Sequence, residues 1–188
     1  MLQRTLPPGF IAPCLPTKTD KLPSGSDWLH EIKHDGFPII ARKTGAQVRL
    51  YSRPGNDLTR RFPLIVDALS RLRSRSCIID GEAVACDDNG VASFDLVRHH
   101  RANGAVFLYA FDLIELNGDD LRRDPLEVRK ATLASVLAKA GPASASMSIS
   151  RVTARLSSPM PASSASKALS RSGRILPTVP AARPTGSR

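Results

Sequence analysis

The sequence is short of several things, and each shortage excludes something. It holds three cysteines in 188 residues, Cys14, Cys77 and Cys86, with no C-x-x-C spacing. Neither a disulfide framework nor a structural zinc site is expected, and the pattern suits a reducing compartment. No run of about 18 apolar residues occurs, so no membrane-spanning helix is expected. The N-terminal stretch MLQRTLPPGFIAPCLP is broken by prolines, so no secretory leader is expected either. Aromatic residues are few, one Trp, two Tyr and six Phe, and none follows Phe111. Acidic residues stop at Glu127.

These last two absences divide the chain. Residues 1–127 hold 17 Lys and Arg against 17 Asp and Glu, whereas residues 128–188 hold 10 Lys and Arg and no acid. The formal net charge of +10 therefore belongs wholly to the last third, and the high pI does not mark the rest as a basic nucleic-acid clamp. Residues 142–188 are rich in Ser, Ala, Pro and Arg. Such a segment buries too little apolar surface to offset its ordering entropy, so a disordered tail is expected there. The reading is a lead-in over 1–26, one partial domain over 27–141 and the tail over 142–188.

Inside 27–141 the pattern is mixed α and β. Trp28–Lys33 reads as a short strand. Ile39–Lys43 and Val48–Tyr51 read as a hairpin closed across Thr44-Gly45-Ala46. Phe62, Ile65, Val66, Leu69 and Leu72 recur at helical spacing and predict a helix over Arg61–Leu72. Cys77–Cys86 is a strand candidate, and Ser93 is placed to cap a short helix running to His100. Val106–Leu116, VFLYAFDLIEL, is the strongest strand signal and stops at Asn117-Gly118. Pro125 then opens a helix over Leu126–Lys139, with Leu133, Val136 and Leu137 on one face.

The stretch WLHEIKHDGFP, Trp28–Pro38, carries two competing signatures. HEIKH matches H-E-x-x-H, in which two histidines one helical turn apart bind zinc. Gly36 and Pro38 follow His34 almost at once, so a helix there could hardly extend past His34. KHDG instead offers Lys33 followed by Asp-Gly, and it has company: Ser52-Arg53-Pro54-Gly55, Asp80-Gly81-Glu82-Ala83-Val84 and Tyr109-Ala110-Phe111-Asp112-Leu113. Each is weak alone, because a lone lysine is usually a solvated charge and a lone Asp-Gly usually a turn.

Their order and intervals resemble the adenylation domain of ATP-dependent DNA ligases, of the bacterial non-homologous end-joining type. WLHEIKHDGF resembles family motif I, LYSRPGND the following S-R-N-G motif, IIDGEAV motif III and FLYAFDLIELNG motif IIIa. The resemblance covers most of residues 8–141. It implies an α+β fold, the DNA ligase/mRNA-capping nucleotidyltransferase type, with mostly antiparallel sheets flanked by helices. It implies ATP and Mg2+ as cofactors and nicked or broken double-stranded DNA as partner, with end-joining proteins alongside, in the cytoplasm at the nucleoid and without a membrane. On this resemblance Lys33 is the catalytic nucleophile that becomes lysyl-AMP. Glu31 and Ile32 fall to nucleotide binding, Glu31 at the adenine. Arg53 resembles the arginine that holds the ribose and phosphate region. Glu82 resembles the carboxylate near ribose and metal, and Phe111 the ring that stacks on the purine. Asp35 shapes the turn after the lysine, and His30 and His34 have no assigned chemistry.

Two departures stand beside the match. Where the family usually has arginine two residues after the motif I glycine, this chain has Pro38, which lacks both a cationic head and a backbone N–H. Motifs IV (E-G-I-V-S-K-R) and V (with W-x-K) and the OB-fold that usually follows are also missing as protein. Yet SKALSRSG, Ser166–Gly173, can be encoded as TCG AAG GCA TTG TCT CGA AGC GG. Read from each former third base, this gives E-G-I-V-S-K-R. Ile175–Arg188 in the same frame can end in D-W-I-K. The expectation is a chain that runs out of frame from about 141–143 and is inactive as written. The alternatives are a nucleotidyltransferase acting on RNA, a non-catalytic nucleic-acid-binding remnant with a basic tail, and a zinc hydrolase.

Overall fold

In the computed structural model, which describes residues 10–13, 28–32, 35–87, 92–99, 106–138, 147–149, 166–170 and 175–179, the hydrophobic alternation becomes antiparallel sheet. The chain forms two units, Met1–Pro13 with Asp35–Ile149, and Cys14–His34 with Ser150–Arg188.

The smaller unit contains β1 (Trp28–Ile32), β8 (Ser166–Ser170) and β9 (Ile175–Val179), paired antiparallel in the order β1-β8-β9. The larger unit contains β2 (Phe37–Thr44), β3 (Gln47–Ser52), β4 (Ser76–Ala85), β5 (Val106–Leu116) and β6 (Asp119–Asp120) in the order β3-β2-β4-β5-β6. A short β7 (Met147–Ile149) adds parallel to β5. The β2–β3 turn is Gly45-Ala46, with Gly45 at φ 57°. The β5–β6 turn has Asn117 at φ 55° and Gly118 at φ 103°, the left-handed pair that a two-residue hairpin favours.

One face of the larger sheet carries the core. Ile39, Ala41, Leu50, Ile79, Leu108 and Leu113 pack against three helices. These are α1 (Pro63–Ser70), contributing Ile65 and Leu69; α2 (Phe94–Arg98), contributing Val97; and α3 (Leu126–Ala138), contributing Leu133 and Leu137. Each fully buried side chain of this size contributes about 1.5–3 kcal/mol of transfer free energy. On the opposite face Ile40, Ile78 and Ile114 are covered by Phe10 and Ile11 of the N-terminal segment.

The structure differs from the sequence reading in several details. The first helix starts at Pro63, whose missing N–H costs nothing at a first helical position, rather than at Arg61. Arg61 instead donates from Nη2 to the carbonyls of Val97 and Arg98 at 3.1 Å each, at the C-terminal end of α2. Ser93 stands at the N-cap of α2, but its hydroxyl makes no capping bond. The two-residue strand β6 was too short to show as a pattern. The tail expected to lack regular structure contributes β7, β8 and β9, and the rest of it lies outside the described residues. Strand pairing uses main-chain groups, so it does not require a patterned sequence. No described helix is long and apolar enough to cross a membrane.

Candidate functional site

His30, Glu31 and Ile32 of the HEIKH stretch lie in strand β1 rather than on a helix. Among the described residues no group of three or more His, Cys, Asp and Glu could hold a metal ion. Glu31 and Ile32 are the last two residues of β1, paired with Lys167 and Ser166, and Glu31 is buried. Lys33 and His34 lie outside the described residues. Asp35 is exposed, on the connection into β2.

In the larger unit, register gathers the other candidates. Ser52, Ile39, Gly81 and Ala110 form one row across β3, β2, β4 and β5. Arg53, Glu82 and Phe111 each follow a member of that row by one residue. Three segments far apart in sequence thus lie beside one cross-strand row of one sheet, Glu82 on one side of the row and Phe111 on the other.

Each is held differently. Arg53 is exposed on a tight turn fastened at Ser52: Gly55 N–H donates to the Ser52 carbonyl at 2.7 Å, Ser52 N–H to Asn56 at 2.8 Å, and Asn56 N–H to Ser52 Oγ at 3.0 Å. Glu82 is half-buried between buried Gly81 and Ala83, on the face away from the helices. It shares a cross-strand row with Pro38 and Tyr109. Its Oε1 accepts from the N–H of Gly36 at 3.2 Å. Gly36 fits there only because it has no side chain: a Cβ would lie 2.3 Å from the Ala83 carbonyl oxygen. Glu82 therefore tethers the connection that follows Lys33 in sequence.

Phe111 is the extra residue of a β-bulge. Ala110 pairs with Gly81 and Asp112 with Asp80, which leaves Phe111 between two consecutive residues of β4. Bulges of this kind re-aim a side chain. Tyr109, two residues earlier, packs edge-on against Phe107 with ring centroids 5.1 Å apart. Burial, with Cys86 nearby, raises the Tyr109 phenol above its ordinary value.

Pro38 is the second residue of β2 and lies beyond Ile39, the last position paired to β3. The strand is an edge there on one side, which is where a sheet tolerates proline. The position places a rigid ring, where the resemblance expects a cation, directly across from Glu82.

Two residues that periodicity passed over prove structural to this site. Buried positions on α3 are Leu126, Arg129, Lys130, Leu133 and Leu137, a helical stripe with two cations in it. Arg129 forms a two-pronged ion pair with Asp112, Nε to Oδ1 at 2.8 Å and Nη2 to Oδ2 at 2.9 Å, and Nη1 donates to the Asp124 carbonyl at 2.7 Å. Lys130 Nζ donates to the Phe111 carbonyl at 2.6 Å. The stripe's i, i+3, i+4, i+7 spacing was available in the sequence, but charged residues do not register as core.

An antiparallel sheet flanked by helices is the architecture of a nucleotidyltransferase-type fold. Family comparison is more specific: residues 15–158 match the ATP dependent DNA ligase domain, and the chain belongs to the ATP-dependent DNA ligase family. It is 36% identical over 137 residues to the multifunctional non-homologous end joining protein LigD of Pseudomonas aeruginosa, covering 71% of this chain and 16% of that protein. It is 38% identical over 148 residues to DNA ligase C2 of Mycolicibacterium smegmatis, covering 73% of this chain and 40% of the relative. The chain thus spans less than half the length of either relative. Among solved structures it resembles a mycobacterial DNA ligase D complexed with ATP and MES, at TM-score 0.69 and 26% identity, covering 88% of this chain and 56% of that one. The ligase domain of Mycobacterium tuberculosis LigD matches at the same TM-score and identity. The fold expected from the sequence is the fold found.

Proposed function

We propose that this chain derives from the nucleotide-binding part of an end-joining DNA ligase and that Lys33 is its nucleophile. The observation that carries the reading is the single cross-strand row beside which Arg53, Glu82 and Phe111 lie, in the motif order of the family. The solved ligase D with ATP supports ATP as the nucleotide.

In this reading the neutral Lys33 amine attacks the α-phosphorus of ATP. A P–N bond forms, the bond to the bridging oxygen breaks, and pyrophosphate leaves; the amine proton passes to solvent. AMP then moves to a 5′-phosphate at a DNA nick, and the 3′-hydroxyl attacks and releases it. Phe111 stacks on the purine, and Glu31 and Ile32 line the nucleotide. The planar fork of Arg53 suits ribose and phosphate oxygens. Gly36, three residues after Lys33 in sequence, donates to the Glu82 carboxylate. Among the described residues Glu82 belongs to no group of three or more His, Cys, Asp and Glu that could form a metal cage. That fits Mg2+, which takes one or two protein carboxylates and completes its shell with phosphate and water. When bound, the ion would offset charge on the phosphates.

The chain as written is read as impaired. Pro38 removes a cation, and motifs IV and V appear only in a shifted frame. Strand β8 contains the residues whose alternative reading gives E-G-I-V, and it pairs with β1, the strand that leads into Lys33. The family match itself ends at residue 158, before that segment. Without cations around the α-phosphate, adenylation should slow by orders of magnitude.

Two experiments test this. Incubation with Mg2+ and α-labelled ATP should label the chain weakly at Lys33, with no label in Lys33→Ala and no sealing of nicked DNA; efficient labelling followed by sealing overturns the impairment. Resequencing the gene across the codons for Lys139–Ser146 and on beyond Arg188 should reveal ligase sequence continuing in the second frame. The basic tail favours a second reading, a non-catalytic nucleic-acid-binding remnant. It requires salt-sensitive DNA binding that survives Lys33→Ala and is lost on deleting 142–188.

A further inference from the structure

A bulge fixes where a residue is displaced, but something must hold it there. At Phe111 the holding groups come from α3, not from the sheet. Lys130 Nζ is buried and donates to the Phe111 carbonyl at 2.6 Å. The adjacent Arg129 is also buried and grips the Asp112 carboxylate with two donors. A third Arg129 donor reaches the Asp124 carbonyl, so the guanidinium is itself fixed from the loop before α3. Asp112 Oδ1 also accepts from the N–H of Leu113 at 2.8 Å. The carbonyl of Phe111 and the side chain of the next residue are thus tied by charge-assisted hydrogen bonds to consecutive residues of one helix.

We propose that Arg129 and Lys130 are positioning residues that set the presentation of the Phe111 ring, and so govern base affinity rather than phosphate affinity. Buried cations on a helix face are costly unless they do something an apolar residue could not. Here Leu or Met would pack as well but would leave the bulge carbonyl and the Asp112 carboxylate without these donors. The proposal rests on the reading of Phe111 as the purine-stacking residue.

The test measures ATP and inorganic tripolyphosphate affinities by calorimetry on the full chain, together with amide exchange over residues 109–113. Lys130→Met, which keeps the Arg129–Asp112 pair, should weaken ATP about tenfold, leave tripolyphosphate unchanged and raise exchange in β5. Lys130→Arg should restore both ATP affinity and protection. Arg129→Lys, losing the two-pronged geometry, should act in the same direction; if it fails to fold, Lys130→Met decides. Equal loss of ATP and tripolyphosphate, or unchanged ATP affinity in the folded Lys130→Met protein, overturns the proposal. If Phe111→Ala leaves ATP affinity intact, or the native chain binds no ATP, the stacking reading fails. Exchange over 109–113 then still judges the clamp: raised in Lys130→Met supports it, unchanged refutes it.

Discussion

Gly36→Ala probes the tether between Glu82 and the connection after Lys33. A Cβ at Gly36 would meet the Ala83 carbonyl oxygen at 2.3 Å, with Glu82 Cγ and Val84 Cγ2 at 3.0 Å. The first obstacle is backbone of a central strand and cannot rotate away. Ordinary contact needs about 1 Å more, so either the connection lifts from β4 or the strand bends. Lifting breaks the Gly36 N–H bond to Glu82 Oε1. Overpacking of this kind costs about 1–3 kcal/mol, and the lost charged hydrogen bond adds about 1.5 kcal/mol. The expected loss is about 2.5–4.5 kcal/mol, or about 10 °C in Tm at roughly 3 °C per kcal/mol for a chain of this size. Gly45→Ala is the control: it has left-handed φ 57° but nothing within 4 Å of the added carbon. Left-handed strain alone should cost about 1 kcal/mol, roughly 3 °C. Thermal melts followed by circular dichroism decide the matter. If Gly36→Ala melts within a degree or two of the native protein, or no lower than Gly45→Ala, the close approach at Gly36 is not what the geometry says it is.

Other expectations follow from the same structure. Lys43 is buried, and its Nζ donates to the carbonyls of Gly45 and Ser74 at 2.6 and 2.7 Å. Lys43→Met should therefore lose about 2 kcal/mol in urea unfolding, and a neutral result would count against a role for those bonds. Glu82→Gln keeps an oxygen that can accept from Gly36, whereas Glu82→Ala does not. The first should keep the native Tm and lose Mg2+-dependent labelling, and the second should lose both; equal melting of the two would discard the tether. Asp57 is held below its ordinary 3.8 by the Thr59 side chain first, with a backbone bond from Thr59 and the charges of Arg49 and Arg60 helping. A depressed carboxylate stabilises the fold above its unfolded value and loses that contribution as pH falls through the folded one. The Tm gap between native and Asp57→Asn should thus be full at neutral pH and close well below pH 3.8; a gap independent of pH would exclude this linkage.

The sequence determined the elements whose signals are local. The apolar run of VFLYAFDLIEL became β5 with the same ends, because a run rich in β-branched, aromatic and leucine side chains that stops at Asn-Gly leaves little choice. The hairpin at Gly45 and the helix after Pro125 follow from turn and cap chemistry. Motif order carried the family, since four short motifs at the right intervals rarely coincide by chance. Tertiary structure decided what depends on partners distant in the chain. It made Phe111 a bulge residue, through a register shift against β4 that neither strand encodes alone. It made Gly36 indispensable through a carbonyl 47 residues away, at Ala83. It turned Arg129 and Lys130 from apparent surface charges into buried anchors, because Asp112 and the Phe111 carbonyl lie beneath that helix. A charge looks solvated in sequence until the group that replaces water is known, and only the fold supplies that group.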